Sequence, residues 1–227
     1  MEQPTKSFKY FDILLGVFVA ILLISNIAST KILTLWKFTF DGGTILFPLS
    51  YIFGDVLTEV YGYQRSRRVI WTGFFGALLM SLVLYIVQVL PPAADWPNQE
   101  AYESIIGFVP RIVAGSLIAY FAGEFSNSFI LSRLKIGTRG KYLWMRTIGS
   151  TLVGEGIDTI IFCLVAFYGL LPNSLLIAII VSNYIFKCGV EILFTPLTYL
   201  IVGFLKRKEN EDHYDHGISY NPFTLKL

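Results

Sequence analysis

Apolar residues come in long stretches separated by short polar ones, roughly Tyr10 to Leu33, Thr44 to Tyr61, Val69 to Leu90, Arg111 to Leu131, Thr147 to Leu170 and Leu175 to Leu205. Crossing about 30 Å of hydrocarbon takes about 20 predominantly apolar residues in a helix, so each stretch predicts a transmembrane helix. The pattern predicts an all-α integral membrane protein: a bundle of six transmembrane helices within residues 1–206, followed by a polar tail, 207–227. The sixth run exceeds one crossing, which predicts tilt, an interfacial extension or a break near Pro196. Between spans 3 and 4, PPAADWPNQEAYESIIGFVP carries Trp96 and Tyr102 and reads as a segment lying at the membrane interface. The tail reads as loosely ordered and solvated.

Polar positions inside the runs recur at helical spacing. Asp55 and Glu59 fall on span 2, Glu124 and Asn127 on span 4, Glu155 and Asp158 on span 5, Lys187 and Glu191 on span 6, and Asn26 near the outer end of span 1. Separations of three and four put each pair on one helical face. An ionised side chain at the bilayer centre costs at least about 2.5–3.5 kcal/mol, so each needs a partner or a wet cavity. Structural hydrogen bonding between helices could have used Ser, Thr or Asn at lower cost. Five spans therefore point at one shared cavity, in which acids outnumber the single central lysine. Asn26, Asp55, Glu124, Asn127, Glu155, Asp158, Lys187 and Glu191 are the candidate substrate-binding residues. Glu59 reads either as part of an inner gate or as a tether for Arg65, Arg67 and Arg68.

Spans 2 and 5 share a local pattern, SYIFGDVLTE from Ser50 and STLVGEGIDT from Ser150, which aligns Gly54 with Gly154 and Asp55 with Glu155. Spans 1 and 4 share Ser-Asn at 25–26 and 126–127. An offset of about 100 residues suggests a 3+3 inverted repeat, an architecture whose site lies near the membrane midplane.

Basic residues set the orientation. Lys6, Lys9, Arg65, Arg67, Arg68, Arg133, Lys135, Arg139, Lys141, Arg146, Lys206, Arg207, Lys208 and Lys226 fall on one side, against Lys31, Lys37 and Arg111 on the other. Positive residues stay inside, so both termini are expected in the cytoplasm, in a multi-pass cell (inner) membrane protein. With 54% hydrophobic and 15% charged residues and a mean hydropathy of +0.61, little remains for a domain outside the bilayer. A net charge of +2 implies no nucleic-acid partner. The first run is too long for a cleaved signal and lacks a small-residue cleavage site, so it reads as a retained span.

No phosphate-cradling loop, HExxH or GxSxG is present, which argues against an enzyme. Cys163 and Cys188 lie inside spans and suggest neither a disulfide nor a metal. His213 and His216, beside Asp212 and Asp215, read as solvated tail residues. No cofactor is implied. A small-solute carrier explains the converging acids most directly; the rival is a substrate-binding subunit that needs a separate ATPase module. Partners are then a small-molecule substrate and membrane lipid, and a homodimer is compatible with so narrow a bundle.

Four stretches, FPLSYIFGDVLTEVYGYQRSRRVIW (47–71), AGEFSNSFILSRLK (122–135), RTIGSTLVGEGIDTIIF (146–162) and KCGVEILFTPLTYLI (187–201), resemble the queuosine precursor transporter family, in order, from Asn26 to Lys206. The resemblance implies an inner-membrane importer of 7-deazaguanine bases, preQ0, preQ1 or related salvage forms, feeding queuosine synthesis in tRNA. Such a base presents N1–H and an exocyclic amine as adjacent donors, which one carboxylate can accept together. Only preQ1 of the two adds a cationic aminomethyl group, which a second carboxylate would suit. Tyr51, Phe53, Phe162 and Tyr184 are candidate stacking residues. Proton coupling through a carboxylate and facilitated diffusion both fit the sequence.

Overall fold

The computed structural model describes residues 8–35, 38–107, 109–169 and 172–224; Lys6, Lys37 and Lys226, counted above for orientation, and Leu170 lie outside them. Among the described residues the order is α1 (Phe11–Ala28), β1 (Ile32–Leu35), β2 (Phe38–Asp41), a 3-10 turn (Gly42–Ile45), α2 (Phe47–Tyr61), α3 (Tyr63–Val89), α4 (Gln99–Ile106), α5 (Val109–Gly137), α6 (Leu143–Phe167) and α7 (Asn173–Glu209).

Burial is arranged inside out. Large apolar side chains such as Ile13, Phe75, Leu82, Leu193 and Leu200 are exposed, while Asp55, Glu59, Glu124, Asn127, Glu155, Asp158 and Glu191 are buried. That distribution suits a lipid solvent outside and a polar interior. Among the described residues four helices, α1, α3, α6 and the Leu176–Glu209 part of α7, are long and apolar enough to cross a membrane. α2 has 15 residues, and α5 has 29 but carries Glu124, Asn127 and several serines. The protein is a helical, multi-pass membrane protein.

The boundaries depart from the hydropathy runs in instructive places. The first helix stops at Ala28, and the chain then turns into an antiparallel hairpin with Ile32 opposite Asp41. Phe40 of β2 stacks on Phe186 of α7 at 5.4 Å, which fixes the hairpin to the bundle. Between α2 and α3 there is no loop, only Gly62, at φ +86°. A side chain there is strained by that φ, and a Cβ would also come within 2.2 Å of the His213 ring. Arg65, Arg67 and Arg68 therefore stand in the first turns of α3 rather than in a loop. α7 runs for 37 residues through Pro196, about 55 Å at 1.5 Å per residue, so of the three alternatives for this run the break near Pro196 is not what forms. α4 buries none of its residues, and Trp96 meets Tyr102 edge-on nearby.

The expectation of a loose, solvated tail fails. Backbone N–H groups of Lys9 and Tyr10 donate to the Glu209 carboxylate at 2.9 and 2.7 Å, which places the start of α1 and the end of α7 together. Beyond α7, Asp215 is buried and accepts from the Tyr63 N–H at 2.8 Å and the Ser132 hydroxyl at 2.5 Å. Arg67 donates to the carbonyls of Ser219 and Asn221, and Trp71 Nε1 to that of Pro222 at 2.7 Å. Phe223 then packs its ring against Trp71 and Phe121. Polar composition hid a strap whose backbone carbonyls and aromatic rings do the anchoring.

Asp212, at the start of this strap, accepts from Lys135 at 2.7 Å and pairs with Lys206 at 2.8 Å. Burial pushes its carboxyl up, but the two ammonium groups outweigh burial and hold it below the ordinary aspartate range. A carboxylate depressed on folding stabilises above its unfolded pKa, and the contribution is lost as pH falls through the folded one. Asp212→Asn should therefore lower stability slightly at neutral pH, by less than about 1 kcal/mol for so exposed a group. Thermal melts in detergent across pH should show the difference fading well below about pH 4.

Candidate functional site

The interior of the bundle is built by the helical spacing of its polar residues. On α6, Thr147, Ser150, Thr151, Gly154, Glu155, Asp158 and Thr159 are all buried, one stripe at intervals of three and four. On α7, Asn183, Lys187, Glu191 and Thr195 recur every four residues and are buried too. The two stripes meet at an ion-paired set: Lys187 Nζ lies 2.8 Å from Asp158 Oδ2 and 3.0 Å from Glu155 Oε2. One cation thus bridges two carboxylates that would otherwise repel in a poorly screened interior.

A second layer lies alongside. Asn127 Nδ2 of α5 donates to Asp55 Oδ1 of α2 at 2.7 Å. Glu124, one turn before Asn127, lies so close to α2 that a Cβ on Gly54 would meet its Oε1 at 2.0 Å. Both oxygens of Glu124, both of Glu191, Asp55 Oδ2 and Asn127 Oδ1 are buried without a protein hydrogen-bond partner. In this layer the chain supplies acceptors well in excess of donors, which suits protons or a donor-rich ligand.

Of the eight residues singled out from the sequence, Asn26, Asp158 and Lys187 line one narrow cavity of about 20 Å³. Glu155 stands directly behind Lys187. Asp55, Glu124, Asn127 and Glu191 form the adjoining layer and do not line that cavity. Its remaining wall includes Ser29, Thr44, Ser116, Thr159 and Asn183, polar groups the sequence reading passed over. Asn183 was detectable: it stands one turn before Lys187, on the same face. Phe162 is the one suggested stacking residue that borders the cavity. Phe53 packs against the apolar core, Tyr184 donates its hydroxyl to Leu152 O, and Tyr51 is buried where α5 meets α6, beside Gly123 and Gly154.

Glu59, one turn after Asp55 on α2, is fully buried and has partners of its own. Its Oε1 is 2.7 Å from Arg146 Nη2, 2.7 Å from Lys206 Nζ and 3.5 Å from Lys135 Nζ. Arg146 also donates to the Lys141 carbonyl. The expected tether to the arginines after α2 is not what forms: Arg65 donates to the Tyr61 carbonyl instead, and Arg67 holds the strap. On the opposite side of the bundle, Arg111 of α5 donates to the carbonyls of Val165 and Tyr168, at 2.7 and 2.6 Å, and closes the end of α6.

Comparison with known proteins bears on what this interior is for. Residues 41–201 match the family described as "Putative vitamin uptake transporter". A protein of Bacillus subtilis (strain 168) named "Probable queuosine precursor transporter" is 32% identical over 189 residues, 82% of each chain. The "Queuosine precursor transporter" of Escherichia coli (strain K12) is 27% identical over 171 residues, 73% of this chain and 74% of that one. No solved structure matches significantly. A family match across most of the helical part and a relative of nearly equal extent agree with a polar, ion-paired interior in a membrane bundle: the chain belongs to the queuosine precursor transporter family, and is a transporter rather than an enzyme.

Proposed function

We propose that the protein imports 7-deazaguanine queuosine precursors, preQ0, preQ1 or a related salvage base, through six transmembrane spans with both termini in the cytoplasm of the cell. The observation that carries this reading is the Lys187–Asp158–Glu155 set beside a cavity that also offers Phe162. A flat base with two adjacent N–H donors needs a carboxylate, an ion that keeps that carboxylate charged, and a ring to stack on. Asp158 and Lys187 border the cavity as such a pair. Asp55, Glu124, Asn127 and Glu191 would receive the base, or its coupling proton, on the next step inward. Proton-coupled import is favoured over simple diffusion because Asp55, Glu124 and Glu191 meet no second lysine among the described residues. The inverted-repeat reading rests on the pattern shared by spans 2 and 5, SYIFGDVLTE and STLVGEGIDT.

Transport of labelled preQ1 by the purified protein alone in liposomes is the deciding experiment. Uptake without any ATPase supports a self-sufficient carrier, and uptake that requires an added ATPase module establishes the rival. Asp158→Asn should lower uptake at least about tenfold, since a charged hydrogen bond of about 1.5–3 kcal/mol is lost. Collapsing the proton gradient should lower accumulation without lowering binding. Undiminished uptake by Asp158→Asn and Glu155→Gln would remove both residues from the site.

A further inference from the structure

The cluster around Glu59 has no part in holding a substrate, and its position suggests another task. The cavity and this cluster occupy opposite stretches of the same helices. On α5, Ser116 borders the cavity and Lys135 belongs to the cluster; on α6 the corresponding residues are Asp158 and Arg146, and on α7 Lys187 and Lys206. At 1.5 Å per residue these separations amount to about 28, 18 and 28 Å along the helix axes. The second layer of acids lies between, and Asp55 stands one turn before Glu59 on α2. A buried polar file thus runs from the cavity to Glu59, where it ends under three cations and the strap.

We propose that Glu59 is the gating carboxylate of this transporter: its pairs with Lys135, Arg146 and Lys206 hold the ends of α2, α5, α6 and α7 together, and their release opens the path on that side. A purely structural plug would be better built of apolar residues, because a buried ion cluster contributes little net stability. Charged pairs differ in one useful respect: they can be exchanged for water when the helices part. The cluster is placed for this exchange, since the Lys206 side chain is 23% exposed and that of Asp212 46%. Asp212 bridges Lys135 and Lys206 from above, and Asp215 continues the strap onto Tyr63 and Ser132. The first part of the strap is consequently coupled to the gate and moves with it.

The test reads which side of the membrane reaches the cavity and needs no substrate, so it stands or falls separately from the uptake experiment. In a Cys163→Ala, Cys188→Ala background, Ser116→Cys places a thiol in the cavity wall, and a membrane-impermeant maleimide is applied from either face of oriented vesicles. The full chain with Glu59 intact should label mainly from the face opposite Glu59. Glu59→Gln should raise labelling from the Glu59 face at least fivefold, Glu59→Asp should restore it toward the parent, and the milder Lys206→Gln should raise it at least twofold. An unchanged ratio of labelling from the two faces, with or without a loss of thermal stability, overturns the proposal. If Glu59→Gln does not insert, Lys206→Gln decides by the same ratio.

Discussion

Lys187→Met should reduce binding and uptake of the substrate at least about 100-fold, roughly 2.7 kcal/mol, and should do so by a route that a triple variant can expose. Lys187 is the cation that Glu155 and Asp158 share, at 3.0 and 2.8 Å, and all three are buried. Removing it leaves two adjacent acids with no counter-charge, and breaking a buried pair from one side costs about 3–5 kcal/mol. Both carboxyls then take up protons or draw in water, and a protonated Asp158 no longer accepts two N–H groups at once. Part of the loss in the single variant is therefore instability. The combination Glu155→Gln, Asp158→Asn, Lys187→Met removes the charges together and should regain thermal stability while still binding nothing. Thermal melts and equilibrium binding of labelled preQ1 in detergent, measured on both variants, check this. Recovery of binding in the neutral triple variant would show that the ion-paired set serves packing and not recognition.

How far the interior could be read from the sequence depended on whether each polar group had its partner nearby in sequence. Glu155 and Asp158, or Lys187 and Glu191, advertise themselves because a helix repeats every three to four residues and lipid makes a stray charge costly. Thr159 and Asn183 were missed because an uncharged polar side chain in a span is common and carries no comparable penalty. The gate cluster was hidden for a different reason. Lys135, Arg146 and Lys206 look like ordinary positive-inside residues, and nothing local marks which of those residues turn inward to Glu59. The strap was misjudged because its composition is polar, while its attachment uses Asp215, backbone carbonyls and the ring of Phe223. The hairpin after α1 fell inside and just beyond a hydropathy run that measures apolarity and says nothing about backbone direction.

A close approach of two helices gives the second large effect. Where α5 crosses α6, a Cβ at Gly154 would meet Asn127 Cβ at 2.8 Å and the Gly123 carbonyl oxygen at 3.0 Å. At Gly123 a Cβ would meet the Tyr51 hydroxyl at 2.5 Å and Asp158 Cβ at 2.7 Å. Apart from the Tyr51 hydroxyl, the far end of a side chain, these neighbours are backbone atoms and the roots of side chains, which cannot rotate away. In lipid, helices associate largely through such close packing, because apolar surface alone gains little by meeting other apolar surface. Gly154→Leu must push α5 from α6 and carry Asn127 away from Asp55 and Asp158 away from Lys187. Overpacking of this kind costs about 3 kcal/mol, the upper end of its usual range, which for a chain of this length corresponds to a fall in melting temperature of roughly 6–12 °C. Gly189 on α7 supplies the control, since it has nothing within 4 Å of its would-be Cβ. Gly189→Leu should melt within about 2 °C of the parent or above it, because leucine is the better helix former and gains lipid contact there. Equal stability of the two variants would mean that α5 and α6 do not pack through their glycines, and the placement of Asp158 beside Lys187 would lose its foundation.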